Sequence, residues 1–326
     1  MATLKEIAGI TGLSISVVSR ALNPQPDKNA IVSSKTKALV QKTASRLSFR
    51  PNLAARSLKK GISPSIGVFL PEFSNNLIAD LVMGMAEAAE KAGFPLGFHF
   101  GLTQESYYDF FKKAASESKS GIITYPYILS EDKRLTKELL DYHNAGGSVV
   151  VLNTEANLHG ITRLGIDDRY GGGLAAKHLL ERACTEFICF SPSDKERFES
   201  FSATIQEAGY KVKAAKDDAD AETLLRLCAK RKTCKTRLGV FATTDRNAMG
   251  LLPKLRSLGF TFAENIFLIG YDDLQLTDLT DPPLTTIHQP FREEGRRAIK
   301  KLLRMLDGEQ EESETLLPEL IVRKST

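Results

Sequence analysis

The chain has 326 residues, of which 42% are hydrophobic and 26% are charged, and its formal net charge is +4. This length exceeds what a single hydrophobic core serves and suits a small head followed by two lobes. No apolar run approaches the ~18 residues of a membrane-spanning helix, and the start, MATLKEIAGI, lacks the pattern of a secretory signal peptide, so we expect a cytoplasmic protein.

The first 23 residues predict a helix-turn-helix. Apolar residues at helical spacing give the two helices a common inner face: Leu4, Ile7, Ala8, Val18 and Leu22. Gly12 suits the tight turn between them because it has no Cβ, and Ser14 suits the N-cap of the second helix. Ile15, Ser16 and Arg20 then face outward on a helix that fits the major groove of DNA. We therefore predict a DNA-reading element; the alternative is a small helical subdomain without a ligand.

A third helix is predicted over residues 33–47, with a basic outer face. Its inner face comprises Leu39, Val40, Ala44 and Leu47, and its outer face carries Lys35, Lys37, Lys42 and Arg46. Residues 1–60 contain eleven Lys and Arg against two acidic residues, a net charge of +9, which leaves −5 for the remainder of the chain. Such an asymmetry is typical of a phosphate-binding head attached to an acidic domain.

Residues 49–58 (FRPNLAARSL) predict a short hinge helix after this head. Pro51 suits the first helical position, and the glycine and proline that follow limit the helix to about two turns. A helix of that length is unstable alone in water, so we predict that it folds when DNA and a second copy of the chain supply contacts. Ala55 is small enough for two such helices to approach closely, and Leu58 is a candidate wedge for the minor groove.

Beyond residue 61, short apolar segments alternate with amphipathic stretches of helical length. The predicted strands are residues 66–70, 96–100, 121–124, 148–152, 164–166, 187–190, 238–242 and 266–269. The predicted helices include residues 76–92, 172–182 and 245–258. Repeated βαβ units of this kind imply parallel sheets that carry helices on both faces.

Residues directly after the strands are the candidate ligand contacts, because ligands bind parallel sheets at the carboxyl ends of strands. These candidates are Phe73, Leu77, Asn153, Asp168, Arg197, Asp245 and Asp272. A carboxylate accepts hydroxyl hydrogens and an arginine donates a fork of N–H groups, so the set suits a hydroxyl-rich ligand. Each acid or base has an alternative role: Asp245 as a helix cap, Asp272 as a turn residue, and Arg197 in an ion pair between lobes.

Signals for an enzyme are weak. Residues 171–173 (GGG) lack the GxGxxG spacing, no GxxxxGK[ST] or HExxH run occurs, and the five histidines are scattered. The four cysteines lack the paired short spacing of a zinc site. We therefore expect no enzyme activity, no cofactor and no metal.

Ordered motifs along the whole chain resemble the LacI/GalR family of bacterial transcription regulators. Residues 1–60 resemble the family's headpiece and hinge, and residues 65–71 (SIGVFLP) its first core strand. Residues 268–273 (LIGYDD), 281–287 (DPPLTTI) and 319–323 (ELIVR) resemble its later signatures. Departures occur at Thr11, Val17, Asn76, Ala183, Cys184 and Ser200, and the loop after Asn23 is longer than usual.

The resemblance implies an all-α helix-turn-helix headpiece and an α/β two-lobed, periplasmic-binding-protein-like core with parallel sheets. The headpiece would span residues 1–48, the hinge 49–61 and the core 62–326. Within the core, the first lobe would comprise residues 62–160 and 292–316, and the second 163–288 and 318–326. Crossovers between the lobes are expected near residues 160–163, 288–292 and 316–318.

The resemblance also implies a function. We expect a homodimeric repressor that binds a pseudo-palindromic double-stranded operator under the control of a small molecule between the lobes. Residues expected at the DNA are Thr3, Ser14, Ile15, Ser16, Ser19, Arg20, Asn23, Lys35, Thr36, Asn52, Ala55 and Leu58. A sugar or sugar phosphate is the favoured effector over a nucleoside or purine. The alternatives are a regulator with a vestigial cleft and a solute-binding protein.

Overall fold

The structure, a computed structural model, describes residues 4–22, 32–47, 65–71, 76–116, 121–125, 133–154, 158–192, 194–231 and 237–326. The helices are α1 Leu4–Thr11, α2 Ile15–Ala21, α3 Ser34–Arg46, α4 Asn76–Ala92, α5 Gln104–Ser116, α6 Lys133–Asn144, α7 Asp168–Glu181, α8 Lys195–Glu207, α9 Asp218–Arg231, α10 Asp245–Ser257 and α11 Phe291–Leu306. The strands are β1 Ile66–Leu70, β2 Leu96–Phe100, β3 Gly121–Thr124, β4 Ser148–Leu152, β5 Thr162–Ile166, β6 Glu186–Phe190, β7 Val212–Ala215, β8 Leu238–Ala242, β9 Ile266–Asp272, β10 Thr285–His288, β11 Glu314–Leu316 and β12 Glu319–Ile321. No described helix combines the length and the apolar character that crossing a membrane requires.

Helices α1, α2 and α3 form a small bundle around Ile7, Val18 and Val40, each of which is fully buried. The prediction that Leu39 lies on the inner face of α3 is wrong, because its side chain is 48% exposed. Successive side chains on a helix point about 100° apart. Because Val40 points into the core, its neighbour Leu39 points towards solvent. The buried face of α3 instead includes Thr43, one turn after Val40.

The core contains two predominantly parallel sheets, as the sequence predicts. The first has the strand order β11-β5-β4-β3-β1-β2, and the second has the order β12-β10-β9-β8-β6-β7, in which only β12 is antiparallel to its neighbour. Helices α4 and α11 cover one face of the first sheet and α5 and α6 the other. Helices α9 and α10 cover one face of the second sheet and α7 and α8 the other.

Several predicted elements have different bounds. The strand predicted over residues 266–269 continues to Asp272. All seven residues of this strand, β9, are buried. The helix predicted from residue 172 begins at Asp168, because the Asp167 side chain caps it by accepting a hydrogen bond from the N–H of Tyr170 at 2.7 Å. Strand β7, an edge strand with two exposed residues, was not predicted.

The first crossover between the sheets also lies later than expected. It was predicted near residues 160–163, but β5 pairs in parallel with β4 and β11 and therefore belongs to the first sheet. The chain leaves that sheet after Ile166, at the cap of α7. It returns between β10 and α11, and it crosses again between β11 and β12. The first two crossovers thus directly follow the carboxyl ends of β5 and β10.

Candidate functional site

The outer face of α2 is the first candidate site. Ser14 caps the helix, and its hydroxyl accepts a hydrogen bond from the N–H of Val17 at 3.3 Å. Ile15 is 49% exposed, and Ser16, Ser19 and Arg20 are exposed beside it. With no core partner for Ile15, this face combines an apolar contact, two hydroxyls and a guanidinium, groups that read base edges in a major groove.

Helix α3 adds a basic face. Lys35, Lys37, Lys42 and Arg46 are all exposed along it. Ser33 directly precedes the helix, and its hydroxyl accepts a hydrogen bond from the N–H of Thr36 at 3.2 Å and shares a second with the Thr36 hydroxyl at 2.8 Å. The predicted DNA contacts Thr3, Asn23, Asn52, Ala55 and Leu58 lie outside the described residues, as does the whole predicted hinge helix.

The second candidate site is a cleft of about 860 Å³ at the carboxyl ends of strands from both sheets. Five of the predicted ligand contacts line it: Leu77, Asn153, Asp168, Arg197 and Asp272. Phe73 lies outside the described residues. The volume is within the range of small-molecule sites in proteins.

Arg197, near the start of α8, organises the wall from the second sheet. It is 8% exposed, and its Nε donates to Asp168 Oδ1 at 2.9 Å while its Nη1 donates to the carbonyl oxygen of Thr243 at 2.9 Å. Its Nη2 reaches Gln289 Oε1 at 3.5 Å, and Nη1 lies 3.7 Å from Asp272 Oδ1. Arg197 and Asp272, both predicted as ligand contacts, thus lie beside each other, and the guanidinium is engaged on all three nitrogens.

Tyr271 forms the floor under this network. Its ring lies 3.8 Å below the guanidinium carbon of Arg197, and its hydroxyl donates to Asp168 Oδ1 at 2.8 Å. Gly171 and Gly172 make this packing possible, because a Cβ on the first would overlap the Tyr271 hydroxyl and a Cβ on the second the Arg197 carbonyl oxygen. The first two glycines of the 171–173 run thus serve close packing.

Asp272 presents a carboxylate at the end of β9. Its Oδ1 accepts a hydrogen bond from Gln289 Nε2 at 2.7 Å. Burial raises the pKa of Asp272 to about 7, although the nearby Arg197 acts to lower it. The backbone has a φ of 123°, a conformation that L-residues rarely adopt, and such strain concentrates at functional sites.

Asn153 lines the opposite wall, and Glu294 is buried behind it. Asn153 Oδ1 accepts from the N–H of Ile166 at 3.1 Å, and its Nδ2 donates to Glu294 Oε2 at 3.2 Å. Glu294, in the first turn of α11, is fully buried, and its Oε1 has no hydrogen-bond partner among the described residues. Burial raises the pKa of Glu294 to about 8.

The prediction that Asp245 contacts a ligand is wrong in this structure. Asp245 is 0% exposed, and its two carboxylate oxygens accept hydrogen bonds from the Thr286 hydroxyl at 2.6 Å and the Leu274 N–H at 2.8 Å. It is not the helix cap either, because Thr244 caps α10 by accepting from the N–H of Asn247 and lines the cleft in its place. Through these two hydrogen bonds, Asp245 instead links Leu274, in the loop that follows β9, with Thr286 in β10.

Sequence reasoning missed three residues that line the cleft, Tyr125, Gln289 and Phe291, and the buried Glu294 that hydrogen-bonds to the lining residue Asn153. Tyr125 follows β3 and Gln289 follows β10, so the carboxyl-end rule that selected the other candidates applied to both. For Glu294 the sequence signal was an acidic residue at a buried helix position. It lies in the apolar stripe of α11 between Phe291 and Ala298. Among the residues that the structure describes, no cluster of His, Cys, Asp or Glu is suited to hold a metal ion.

Comparison with known proteins agrees with this architecture. Residues 176–326 match the model of a periplasmic binding protein-like domain. The chain is 28% identical to the HTH-type transcriptional repressor PurR of Vibrio vulnificus (strain CMCP6) over 339 aligned residues, which cover 99% of this chain and 98% of that protein. The similarity therefore includes head, hinge region and core in the same order. The chain is thus similar, over its whole length, to transcription regulators of the LacI/GalR family.

Solved structures of that family share the fold across the full length. The lac repressor dimer bound to operator and the anti-inducer ONPF superposes with a TM-score of 0.67 at 21% identity, covering 99% of this chain and 98% of that one. A transcriptional regulator CelR–cellobiose complex gives a TM-score of 0.66 at 23% identity, covering 100% of both chains. In this fold, Asn153, Asp168, Arg197 and Asp272 line the cleft between the two lobes.

Proposed function

We propose that this chain is a sequence-specific DNA-binding repressor whose affinity for its operator is controlled by a small molecule bound in the cleft. The support is the presence in one chain of an exposed α2 face with Ile15, Ser16 and Arg20 and a cleft organised around Arg197. The head carries the positive charge of the chain, and the core carries a net negative charge. A phosphate-binding head and a separate ligand cleft are the two parts that such a switch needs.

The observation that carries the ligand-binding part is the strained and charged construction of the cleft. Asn153 and Asp272, on opposite walls, have φ values of 44° and 123°. Asp272 lines the cleft with its Oδ1 held by Gln289. Backbone strain costs stability and concentrates at functional sites, which favours a cleft that binds a ligand over a vestigial one.

We further propose a cytoplasmic homodimer that binds a pseudo-palindromic site and catalyses no reaction. A two-fold symmetric dimer places its two reading helices in symmetric half-sites. The related PurR proteins are named as repressors, and the lac repressor neighbour is a dimer on operator. The CelR neighbour holds cellobiose, which supports a hydroxyl-rich ligand for the cleft of this chain.

The experiment is selection of duplexes from a random DNA library by the full chain, followed by anisotropy titration of the recovered sequences. We expect a consensus with two-fold symmetry, and a log–log salt slope that steepens by about −0.9 for each phosphate contact. Recovery of sequences without a consensus, or a flat salt dependence, would contradict the DNA-binding proposal. A thermal-shift screen of sugars and nucleosides then tests the ligand, and a ligand that raises the melting temperature must also change DNA affinity.

A further inference from the structure

The charge balance of the cleft narrows the class of ligand. Its described acidic lining residues are Asp167, Asp168, Glu196, Asp272 and Glu314, and its basic ones are Arg163, Arg169 and Arg197. Two of these acids have partners of their own: Glu196 pairs with Arg169 at 3.2 Å, and Glu314 pairs with Lys301 at 3.1 Å. The described lining as a whole carries more carboxylates than cations.

Arg197, one of the three described cations that line the cleft, is already paired with protein carboxylates. Three acids surround its guanidinium: Asp168 at 2.9 Å, Asp194 at 3.2 Å and Asp272 at 3.7 Å. Its remaining N–H groups meet the Thr243 carbonyl and Gln289. A phosphate or carboxylate entering the cleft would therefore have to displace an existing partner of Arg197 and would still face the carboxylates.

Glu294 adds a further acidic group behind the opposite wall. It is fully buried, and its Oε2 is held by Asn153 while Oε1 has no partner among the described residues. Tyr125, which lines the cleft, has a pKa that is raised by burial and by the negative charge of Glu294. A buried carboxyl group with an unsatisfied oxygen is costly unless a positive charge or donor comes close.

We propose that the ligand of the cleft is a sugar-sized, hydroxylated compound that carries a protonated amine, and that Glu294 acts with Asp168 and Asp272 to select this positive charge. This inference rests on the proposed function, because it names the ligand class of the same cleft. Hydroxyl groups meet the carboxylate of Asp272 and the amide of Asn153, and the ammonium group meets the carboxylate excess. Of the sugar and the sugar phosphate expected from the sequence, the phosphate is disfavoured.

The test is a matched series in which one carbon carries a neutral, a cationic or an anionic group. Glucose, 6-amino-6-deoxyglucose and glucose 6-phosphate form one series, with the corresponding galactose and mannose series and the 2-amino sugars beside it. Binding is measured by calorimetry at pH 7. We expect at least one amino sugar to bind about tenfold or more tightly than its neutral parent, a difference of about 1.4 kcal/mol, and the phosphates to bind weakest.

Measurements of proton release and of two variants identify the groups that cause the preference for an amino sugar. The groups that face Glu294 are Asn153 from the end of β4, Tyr125 from the end of β3 and Asp168 from α7, while Glu87 on the packed helix α4 pairs with Arg292 and Arg296. A cation favours the ionised form of a nearby carboxyl group, so binding of the 6-amino sugar should release protons, measured as a buffer-dependent binding enthalpy. Glu294→Gln should reduce both the release and the preference over the neutral parent. Glu293→Gln, at a half-buried neighbour on the same helix that pairs with Arg297, should change neither.

Two results would overturn the inference. One is that a neutral or phosphorylated member binds as tightly as its amino counterpart, or that no amino sugar binds. The other is that Glu294→Gln, folded by circular dichroism, leaves the amino preference and the proton release unchanged. Both outcomes are separate from a failure of the proposed function, which the DNA selection measures without any ligand.

Discussion

Replacement of Glu294 by glutamine should change how the stability of the protein depends on pH. In the native structure the carboxyl group is fully buried in the first turn of α11, and burial raises its pKa from 4.5 to about 8. The unfolded chain has the ordinary value, so between these two pKa values the native state binds a proton that the unfolded state does not. Its contribution to stability is therefore fully present below pH 4.5 and is lost as the pH rises towards 8.

The size of this loss follows from the pKa difference. At about 1.36 kcal/mol per unit, a single group with these two pKa values removes at most roughly 4 kcal/mol of stability between pH 5 and pH 8.5. Glutamine cannot ionise, and its side-chain oxygen can still accept the hydrogen bond from Asn153. The two proteins should be similar in stability at pH 5, and Glu294→Gln should be progressively more stable above pH 6.

The assay is urea unfolding of both proteins at a fixed protein concentration, in steps from pH 5 to pH 8.5. Asp245 and Asp272, whose pKa values burial raises to about 6 and about 7, titrate in both proteins and cancel in the difference. Glu293→Gln is the matched control, because hydrogen bonding to Arg297 lowers the pKa of Glu293 and its difference from wild type should stay flat over this range. A stability difference for Glu294→Gln that stays constant or shrinks with rising pH would refute the reasoning.

Three further predictions test the other assignments. Arg20→Ala should weaken binding to the selected DNA by ~1–3 kcal/mol if the side chain reads a guanine; anisotropy that shows equal losses on random DNA would make it a phosphate contact. Asp272→Asn keeps the shape but removes the charge, so calorimetry should show about tenfold or greater loss of ligand affinity, whereas unchanged affinity would exclude Asp272 from the site. Asp245→Ala leaves the N–H of Leu274 without its acceptor, so urea unfolding should show a loss of roughly 1–3 kcal/mol; unaltered stability with lost ligand affinity would restore its predicted role.

The strands could be predicted because their apolar segments are uninterrupted and their ends are marked by polar residues. β1, β4 and β8 have the predicted bounds, since each is buried on nearly every residue and so lacks the ambiguity of a half-exposed strand. β7 (VKAA) has two exposed residues and no such signal. The assignment of β5 to the wrong lobe has another cause, because sheet membership depends on pairing with β11, about 150 residues away in sequence.

The sequence predicts which strand ends form the candidate site, but not which side chain at each end faces the cleft. Asp245 and Thr244 are adjacent after β8, and either could have faced the cleft. The helix begins between them, so Thr244 takes the extended cap conformation and lines the cleft, while Asp245 turns under the loop after β9. One residue of difference in a helix start decides which side chain meets a ligand, and local sequence does not fix helix ends that finely.

The position of the Arg197 network explains how events in the cleft reach the connections between the lobes. Asp168 directly follows the first crossover, and Gln289 lies in the second. Arg197, on α8 of the second lobe, hydrogen-bonds to both, and Gln289 also donates to Asp272. A ligand that binds Asp272 or Asp168 must therefore compete with or reinforce bonds whose other ends are in the segments that set the angle between the sheets. We expect a change in hydrogen bonding at one carboxylate to bias lobe closure, because the crossover residues are themselves part of the binding wall.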